Sequence, residues 1–305
     1  MQTRAEMIKR LAQADTPSIR LFALTKLQGL PCDDPQVVRA QEQVANDEPV
    51  HSILKEQHPE GFWIWDHSHY TPKYKATHWS MKLLTEMGLS GSHPAMQQGA
   101  FYMRERLRPT IIKTLEQNEM GLACFWGTFL RYQLHCGQLT DTTIQMVIDQ
   151  LVLEIQNDCT CPYNYGLPCA WGVIRAMWGL ASIPSEKRSL QVQQAIRHGL
   201  EFILERYSLT KADYPYKEKI HKVWFALNFP LSYNVDILFT LLVLQELEAL
   251  DHPAARQALD WLAAKQLKSG WWRGASPIRS RSWAFTKGQD TVDGWATLYA
   301  LTLLD

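Results

Sequence analysis

Residues 56–63 read EQHPEGFW, and residues 265–272 read KQLKSGWW. Each stretch has a glutamine four residues before a glycine, and aromatic residues follow the glycine directly. Each stretch also ends a helix-like segment and precedes a polar loop, after which a second helix-like segment begins. A unit that recurs along a chain in this way predicts a repeat fold, in which neighbouring copies pack together into a continuous core.

The composition indicates one large domain or two ordinary ones with a substantial apolar core. The chain has 305 residues, of which 46% are hydrophobic, and it contains 12 tryptophans. Lysine plus arginine and aspartate plus glutamate each number 31, so the formal net charge is zero. This balance argues against a nucleic-acid-binding protein that works through bulk charge, and we predict no nucleic-acid partner.

The sequence also predicts a cytoplasmic protein without a transmembrane segment. No apolar run approaches the ~20 residues that a membrane-spanning helix needs. Residues 1–15 are charged and lack the apolar core of a signal peptide. Peripheral contact with a membrane surface is compatible with this interpretation. In such a compartment the six cysteines are expected to be free thiols or metal ligands rather than disulfides.

The apolar pattern predicts twelve helices in six pairs, with little β structure. The predicted helices span residues 4–13, 18–28, 37–57, 77–87, 93–107, 122–136, 141–156, 169–181, 190–207, 235–250, 253–267 and 294–304. In the clearest pairs the first helix is amphipathic and the second is apolar round most of its circumference. An amphipathic helix faces water on one side, whereas an apolar one is buried. We therefore predict an all-α fold, an (α/α)6 toroid of six outer and six inner helices that forms a single domain over residues 1–305. The alternative is an irregular array of the same helices.

The repeated stretches carry a known motif. Residues 57–63 have the form Gln-x3-Gly-x-Trp, residues 266–271 have Gln-x3-Gly-Trp, and residues 117–121 have Gln-x3-Gly without the tryptophan. In these residues the chain resembles the terpene cyclase and protein prenyltransferase superfamily of α/α toroids, which includes squalene-hopene cyclases. Residues 76–84 and 293–301 are similar to the helices that follow such motifs in the cyclases. The resemblance implies an enzyme that acts on an isoprenoid or similar apolar substrate by cyclisation or prenyl transfer.

The chain departs from both branches of this superfamily. Class II cyclases protonate their substrate with the middle aspartate of an Asp-x-Asp-Asp motif, and the sequence contains no such motif. Protein prenyltransferases bind zinc through aspartate, cysteine and histidine, and the chain lacks a clean copy of their motif. A zinc enzyme of different chemistry and a non-catalytic binding module for apolar ligands or proteins therefore stay as alternatives. Lanthionine cyclases are an example of the zinc-enzyme alternative, because they are α/α toroids with a Cys-Cys-His zinc site. Their Trp-Cys-x-Gly and Cys-His-Gly signatures are absent from this sequence.

The topology of a toroid predicts where chemistry would lie. Four long connectors each join a predicted outer helix to the following inner helix, at residues 58–75, 157–168, 208–234 and 268–292. These connectors emerge at the same end as the starts of the inner helices, and long loops on a rigid scaffold commonly carry function. Five polar or thiol side chains lie within about a turn of an inner helix start: His78, Cys124, Cys169, Asp236 and Asp293.

Thiolates, imidazoles and carboxylates that converge in one layer suggest a metal site, with zinc as the metal. Our ligand set has Cys161 and Cys169 at its centre, and it is completed from Cys124, Cys159, His78 or Asp236. The spacing of these cysteines matches no standard zinc motif. Buried structural cysteines, which are common, are the alternative.

Three side chains are candidates for catalytic groups: Asp236, Asp293 and His78. Asp236 heads an apolar helix, where burial would raise the pKa of its carboxyl group and suit a general acid. A carboxylate in this position is equally expected to cap the helix N-terminus.

The loops at the same end are basic and predict an anionic substrate group such as a diphosphate. Arg279 and Arg281 are the substrate-binding candidates in the last connector, and Lys211, Lys217, Lys219 and Lys222 lie in the third. An apolar tail would lie among aromatic side chains of the inner helices, namely Trp79, Trp126, Trp171, Trp178, Phe239 and Trp295. The alternative is that the charged loops are merely solvated and the aromatic side chains merely fill the core.

Overall fold

The computed structural model describes residues 2–207, 209, 222–231 and 233–304 and is all-helical within them, which confirms the all-α part of the predicted fold class. The helices are α1 (Arg4–Ala12), α2 (Pro17–Phe22), α3 (Pro35–Val44), α4 (Glu48–Lys55), α5 (Thr77–Glu86), α6 (Pro94–Glu116), α7 (Ala123–His135), α8 (Thr142–Gln156), α9 (Ala170–Ala181), α10 (Leu190–Glu201), α11 (Ile237–Glu246), α12 (Pro253–Ala263) and α13 (Gln289–Leu303). Short π-helical turns, Ala23–Leu27 and Phe202–Arg206, extend α2 and α10. Within the described residues β structure is limited to isolated bridges, and no helix there is long and apolar enough to cross a membrane.

Several predicted helix boundaries are wrong, and in two cases a proline is involved. The predicted helix at 37–57 is two helices, α3 and α4, and the second of them starts after Asp47 and has Pro49 in its first turn. Proline has no N–H to donate, so it suits a first turn, where that group has no partner within the helix. The predicted end at residue 107 is also wrong, since α6 continues through Pro109 to Glu116.

The chain divides into two compact units. Unit 1 comprises Met1–Gly99, Ala226–Ser232 and Leu259–Asp305, and unit 2 comprises Ala100–Phe225 and Tyr233–Ala258. Within unit 1 the first helix, α1, packs against both α2 and the last helix, α13. The guanidinium group of Arg4 donates to the carbonyl oxygens of Leu301 at 2.9 Å and Leu304 at 2.6 Å. The two ends of the described chain therefore meet inside unit 1.

The first motif copy forms a clasp between α4 and α5 in unit 1. The Gln57 side chain donates to the carbonyl oxygen of Gly61 at 3.3 Å, and Gly61 has a φ of 99° that favours glycine. The Trp63 indole donates to the carbonyl oxygen of Ile53 on α4 at 2.8 Å, and its backbone N–H donates to the Thr77 hydroxyl at 3.0 Å. The motif thus ties the end of one helix to the start of the next.

The second motif copy repeats this geometry between α12 and α13. Gln266 donates to Gly270 at 2.8 Å, and Gly270 has a φ of 93°. The Trp272 indole donates to Leu262 at 2.8 Å, and the Trp272 backbone N–H donates to the Thr297 hydroxyl at 3.1 Å. The repeat inferred from the sequence is therefore a repeat of hydrogen bonds within unit 1.

Unit 2 alternates buried and partly exposed helices. Most residues of α7, α9 and α11 are buried, whereas α10 buries a single face. The helices α8 and α10 pack against each other and against α9, which also contacts α7 and α11. Glycines allow α7 and α9 to approach closely, since a Cβ atom on Gly179 would lie 2.6 Å from the carbonyl oxygen of Gly127. This alternation is the one that the apolar pattern predicted.

Candidate functional site

Four of the six cysteines line a single pocket in unit 2, which we call the thiol pocket. Its volume is about 50 Å³. It is lined by Leu122, Ala123, Cys124, Cys159, Cys161, Tyr163, Asn164, Cys169, Trp171, Gly172 and Tyr233. The cysteines come from three separate parts of the chain, and the structure brings them together as the positions of the helix starts predicted.

Helix starts position two of the thiols. Cys124 is the second residue of α7, and Cys169 is the N-cap of α9. The Cys169 sulfur accepts a hydrogen bond from the backbone N–H of Gly172 at 3.4 Å. Positive partial charge at a helix N-terminus favours the thiolate form of such a sulfur.

The loop after α8 positions the other two thiols. Asp158 and Cys159 have positive φ values of 53° and 48°, so the chain turns sharply after α8. The backbone N–H of Cys169 donates to the carbonyl oxygen of Asp158 at 3.0 Å, and Cys161 pairs with Leu167 in an isolated bridge. A Cβ atom on Gly172 would lie 2.8 Å from the Cβ atom of Cys159, so only glycine allows this approach.

Burial keeps two of these thiols, Cys124 and Cys159, neutral in the absence of a cation. Burial, with the neighbouring Cys169 as a smaller cause, raises the pKa of Cys124 to about 12. Burial and the nearby Glu154 carboxyl group raise the pKa of Cys159 well above its ordinary value. A bound divalent cation would reverse this preference, because it stabilises thiolates and releases their protons.

In the part of the chain that the structure describes, no group of three or more histidine, cysteine, aspartate or glutamate side chains is arranged to hold a metal ion. The thiol pocket therefore gathers the predicted cysteine ligands around one space without placing them in ligating geometry. His78 belongs to unit 1, and Asp236 is not among the residues that line the pocket. The zinc ligand set stays a prediction.

The sequence allowed two interpretations of Asp236, a general acid and a helix cap, and the structure shows the geometry of a helix cap. It is the N-cap of α11, it is buried, and its carboxylate accepts from the backbone N–H of Phe239 at 2.7 Å. Its backbone carbonyl oxygen accepts from the Thr240 hydroxyl at 2.8 Å. These contacts confirm the cap, and a catalytic role for Asp236 stays a prediction.

The other two catalytic candidates belong to unit 1. Asp293 lies inside α13 rather than before it, because that helix begins at Gln289, earlier than the predicted residue 294. Its carboxylate accepts from the Gly274 backbone at 2.9 Å and from the Gln289 amide at 2.8 Å, and it pairs with Arg273 at 3.1 Å. His78 lies in the first turn of α5, is buried, and contacts the Trp79 ring edge-on at a centroid distance of 5.2 Å. Asp293 therefore has a structural role, and the catalytic roles of Asp293 and His78 stay predictions.

The aromatic side chains predicted to hold an apolar substrate occupy different local environments. In unit 2, Trp171 lines the thiol pocket and meets Tyr233 edge-on at 5.8 Å. Trp178 meets Phe239 edge-on at 5.1 Å, and the Trp126 ring is buried.

In unit 1, Trp295 stacks on Phe229 with ring centroids 4.0 Å apart. Trp79 lines a small pocket of about 10 Å³, which is about the size of one water molecule. Each of these rings has the contacts of a core residue, and a role in substrate binding stays a prediction.

The basic residues predicted to bind an anionic group are only partly described. Arg279 and Arg281 are exposed in unit 1. Lys211, Lys217 and Lys219 lie outside the described residues, and only the backbone of Lys222 is described.

The sequence analysis missed Glu154, which lies on α8 beside the thiol pocket. One of its carboxyl oxygens accepts from the Gly121 backbone N–H at 2.8 Å and from the Gln150 amide at 3.2 Å. The other oxygen is buried and has no hydrogen-bond partner among the described residues. Burial, opposed by these two hydrogen bonds, raises the pKa of Glu154 to about 7. The helical spacing of Ile144, Leu151 and Glu154 puts this carboxyl group on the apolar face of α8, and that spacing is the signal that could have found it.

No protein-family model matches the chain, and comparisons with curated proteins and with solved structures found no significant match. The resemblance to terpene cyclases and protein prenyltransferases therefore rests on the motif residues themselves.

Proposed function

We propose that this protein is a zinc-dependent enzyme of the terpene cyclase and prenyltransferase type, which acts on an isoprenoid or other apolar substrate in the cytoplasm. The observation that carries the proposal is the convergence of Cys124, Cys159, Cys161 and Cys169 on one pocket. Sulfur ligands favour zinc among the common divalent cations.

The sulfur donors and the size of the thiol pocket suit such an ion. A space of about 50 Å³ is large enough for an ion with a water molecule but too small for an isoprenoid chain. Cysteine thiolates would hold the ion, and the Cys169 sulfur already accepts a hydrogen bond from the backbone N–H of Gly172. Zinc at such a site would supply a Lewis acid. Trp171 and Tyr233 would form an apolar wall that limits the access of water.

We also propose that the helices form an (α/α)6 toroid. Three observations support this architecture: the alternation of buried and partly exposed helices in unit 2, the contact of α1 with α13 in unit 1, and the two equivalent clasps. In a toroid the first and last helices must be neighbours, and within unit 1 they are.

Metal content tests the zinc site directly. The full chain would be purified under reducing conditions without chelator, and its metals counted by mass spectrometry. We expect about one zinc per chain in the wild-type protein, and its loss in Cys169→Ala, because a closed zinc site has about four ligands. The matched control is Cys136→Ala, which removes a buried thiol outside the pocket and should keep the metal.

Two outcomes would contradict the zinc site: wild-type protein without stoichiometric metal, or Cys169→Ala protein that is folded by circular dichroism and keeps the full zinc content. A second experiment tests the enzymatic activity. Polyprenes and prenyl diphosphates would be incubated with the zinc-loaded protein, and their conversion followed by mass spectrometry. If none of these substrates is converted, the proposal of an isoprenoid enzyme is contradicted, whereas the proposal of a zinc site is not affected.

A further inference from the structure

A larger pocket of unit 2 lies between α8 and α10, and we call it the α8–α10 groove. Its volume is about 390 Å³, which falls within the range of about 300–1,000 Å³ that is usual for small-molecule sites. It is lined by Leu139, Gln145, Ile148, Asp149, Val152, Ile183, Lys187, Ser189, Gln191 and Val192. None of these residues lines the thiol pocket, so the groove is a separate space.

Four buried apolar side chains line the groove. Ile148 and Val152 lie one turn apart on α8, Ile183 lies in the connector between α9 and α10, and Val192 lies in the first turn of α10. A ligand that covers apolar side chains gains free energy of binding, because apolar surface is removed from water. The groove therefore favours a ligand with an apolar part.

The groove contains one carboxylate, Asp149, which has no countercharge. The residues three and four positions away from it on α8 are all uncharged, namely Gln145, Met146, Val152 and Leu153. In the part of the chain that the structure describes, no ion pair or hydrogen bond involves its carboxylate. Partial burial raises the pKa of this carboxyl group. A ligand cation beside Asp149 would compensate for the lost hydration.

The groove also contains one ammonium group, that of Lys187. The connector that carries it is held in place by Arg188, whose guanidinium group donates to the carbonyl oxygens of Ile183 at 2.9 Å and Ala181 at 3.0 Å. Among the described residues no acidic oxygen lies within 4.0 Å of the Lys187 ammonium group, and this includes the oxygens of Asp149. The two opposite charges therefore line one groove without neutralising each other.

The start of α10 adds hydrogen-bond donors on the same side as Lys187. Ser189 is the N-cap of α10, and its hydroxyl accepts from the backbone N–H of Val192 at 3.3 Å. The first backbone N–H groups of a helix have no acceptor within it, so this cap leaves that of Gln191, which lines the groove, to another partner. The α10 side of the groove therefore suits a carboxylate, and Asp149 on the α8 side suits an ammonium group.

We propose that the α8–α10 groove binds a small zwitterion with an apolar side chain, which is a free apolar amino acid or a short apolar peptide. The ammonium group of the ligand would pair with Asp149, its carboxylate would pair with Lys187, and its side chain would cover the apolar residues between them. A simple cation, a simple anion or a neutral molecule would leave at least one of the two charges unpaired. The proposal goes beyond the proposed function, because it concerns a different pocket and stands without the zinc.

Isothermal titration calorimetry with leucyl-leucine and with free leucine tests the groove, in chelator so that no metal contributes. We expect one ligand per chain, and the tighter of the two probes shows whether the groove takes a free amino acid or a peptide. Acetylation of the amino end and amidation of the carboxyl end each remove one charge of the ligand. Each modification should weaken binding by at least about fivefold, since a charge pair in a partly exposed groove is worth about that factor.

Two substitutions connect each end of the ligand to its residue. Asp149→Asn should weaken the binding of the unmodified probe by at least about fivefold and should make acetylation of the probe almost without effect. Lys187→Gln should do the same for amidation. The matched controls are Glu201→Gln and Arg197→Gln, two exposed residues of α10 outside the groove, and both variants should bind as the wild type does. Asp149 and Lys187 are themselves exposed, so their variants should fold, which thermal unfolding would verify.

Three results would overturn the site. The first is wild-type protein that binds neither probe, and the second is equal affinity in the two groove variants and the wild type. The third is an effect of acetylation and amidation that persists at full size in Asp149→Asn and Lys187→Gln. These results would leave the proposal of a zinc site untouched, because the zinc content of Asp149→Asn should equal that of the wild type.

Discussion

Glu154 shows at the residue scale how burial changes the chemistry of a side chain. Its carboxyl group is fully buried on α8, and burial raises its pKa from 4.5 to about 7. The neutral form is therefore the one that the folded protein prefers. The contribution of this carboxyl group to the free energy of unfolding is fully present below 4.5, the pKa that it has in the unfolded chain. This contribution is lost as the pH rises through about 7, its pKa in the folded protein.

Replacing Glu154 by glutamine should remove this pH dependence. The free energy of unfolding of the wild type, relative to Glu154→Gln, should fall by about 3 kcal/mol as the pH rises from about 4.5 to about 8. Glutamine keeps an acceptor for the Gly121 N–H, so the comparison isolates the ionisation. The measurement is denaturant unfolding at several pH values, in chelator so that no metal contributes.

The control for this comparison is Glu116→Gln, an exposed carboxyl group in unit 2, which should leave the pH profile of the wild type unchanged. If Glu154→Gln keeps the same slope as the wild type between these pH values, Glu154 does not ionise in the folded protein as described.

Residue chemistry was only partly predictable from the sequence. The grouping of Cys124 with Cys169 was predictable, because both stand at the start of an apolar helix and such starts share one end of a helical-pair fold. Glu154 was not singled out, because it belongs to no motif and its buried state depends on how α8 packs. The capping role of Asp236 was left open, since the residue before a helix predicts a cap without excluding an acid.

The clasps show at the element scale how a short motif sets the geometry of a helical pair. In each copy the glutamine, glycine and tryptophan hold the loop, and a threonine on the next helix accepts the tryptophan backbone N–H. The motif residues thus tie the end of one helix to a threonine on the next. This local content explains why the repeat was visible in the sequence before the packing was known.

Gly61→Ala should break the first clasp. Alanine at a φ of 99° is strained, and its Cβ atom would lie 2.6 Å from the carbonyl oxygen of Gln98. We expect a loss of about 3 kcal/mol or more in the free energy of unfolding, from backbone strain together with overpacking. The measurement is chemical denaturation followed by circular dichroism.

Gly29→Ala is the matched control for this substitution. Gly29 also has a positive φ, 66°, but a Cβ atom there would meet nothing within 4 Å. This variant should lose only the conformational part, about 1–2 kcal/mol. Similar losses in the two variants would show that the close approach at Gly61 does not matter.

Helix boundaries were the least predictable feature at this scale. Two prolines that look alike in the sequence behave differently, since Pro49 lies in the first turn of α4 and Pro109 lies within α6. A proline removes one backbone hydrogen bond and favours a kink, but packing can hold a helix together through it. The sequence does not contain that packing information locally.

At the scale of the whole molecule, the contact between the first and last helices indicates that the fold depends on which helices pack together more than on their order along the chain. Arg4 on α1 bonds to the carbonyl oxygens of the last residues of α13, and Trp271 donates to the Gln2 side chain at 2.9 Å. Chain ends that lie together commonly allow circular permutation.

A circular permutant should therefore fold. The described ends would be joined by a linker of about six glycine and serine residues, which spans roughly 20 Å when extended. The new ends would lie between Cys32 and Asp33, in an exposed turn before α3. We expect cooperative thermal unfolding and a near-native circular dichroism spectrum.

A linear chain without residues 2–12 is the comparison, and it should lose stability because it lacks α1. A permutant that fails to fold would show that α1 and α13 need more than their mutual contact.

Unit 1 draws its residues from three separate segments, and the last of them, Leu259–Asp305, follows every segment of unit 2. A ribosome adds about 5–20 residues each second, starting from the N-terminus. All of unit 2 has therefore been synthesised before α13 exists, and α1 waits roughly 15 to 60 seconds for the helix against which it packs. In the cell, the first part of the chain to be made belongs to the last unit that can be completed.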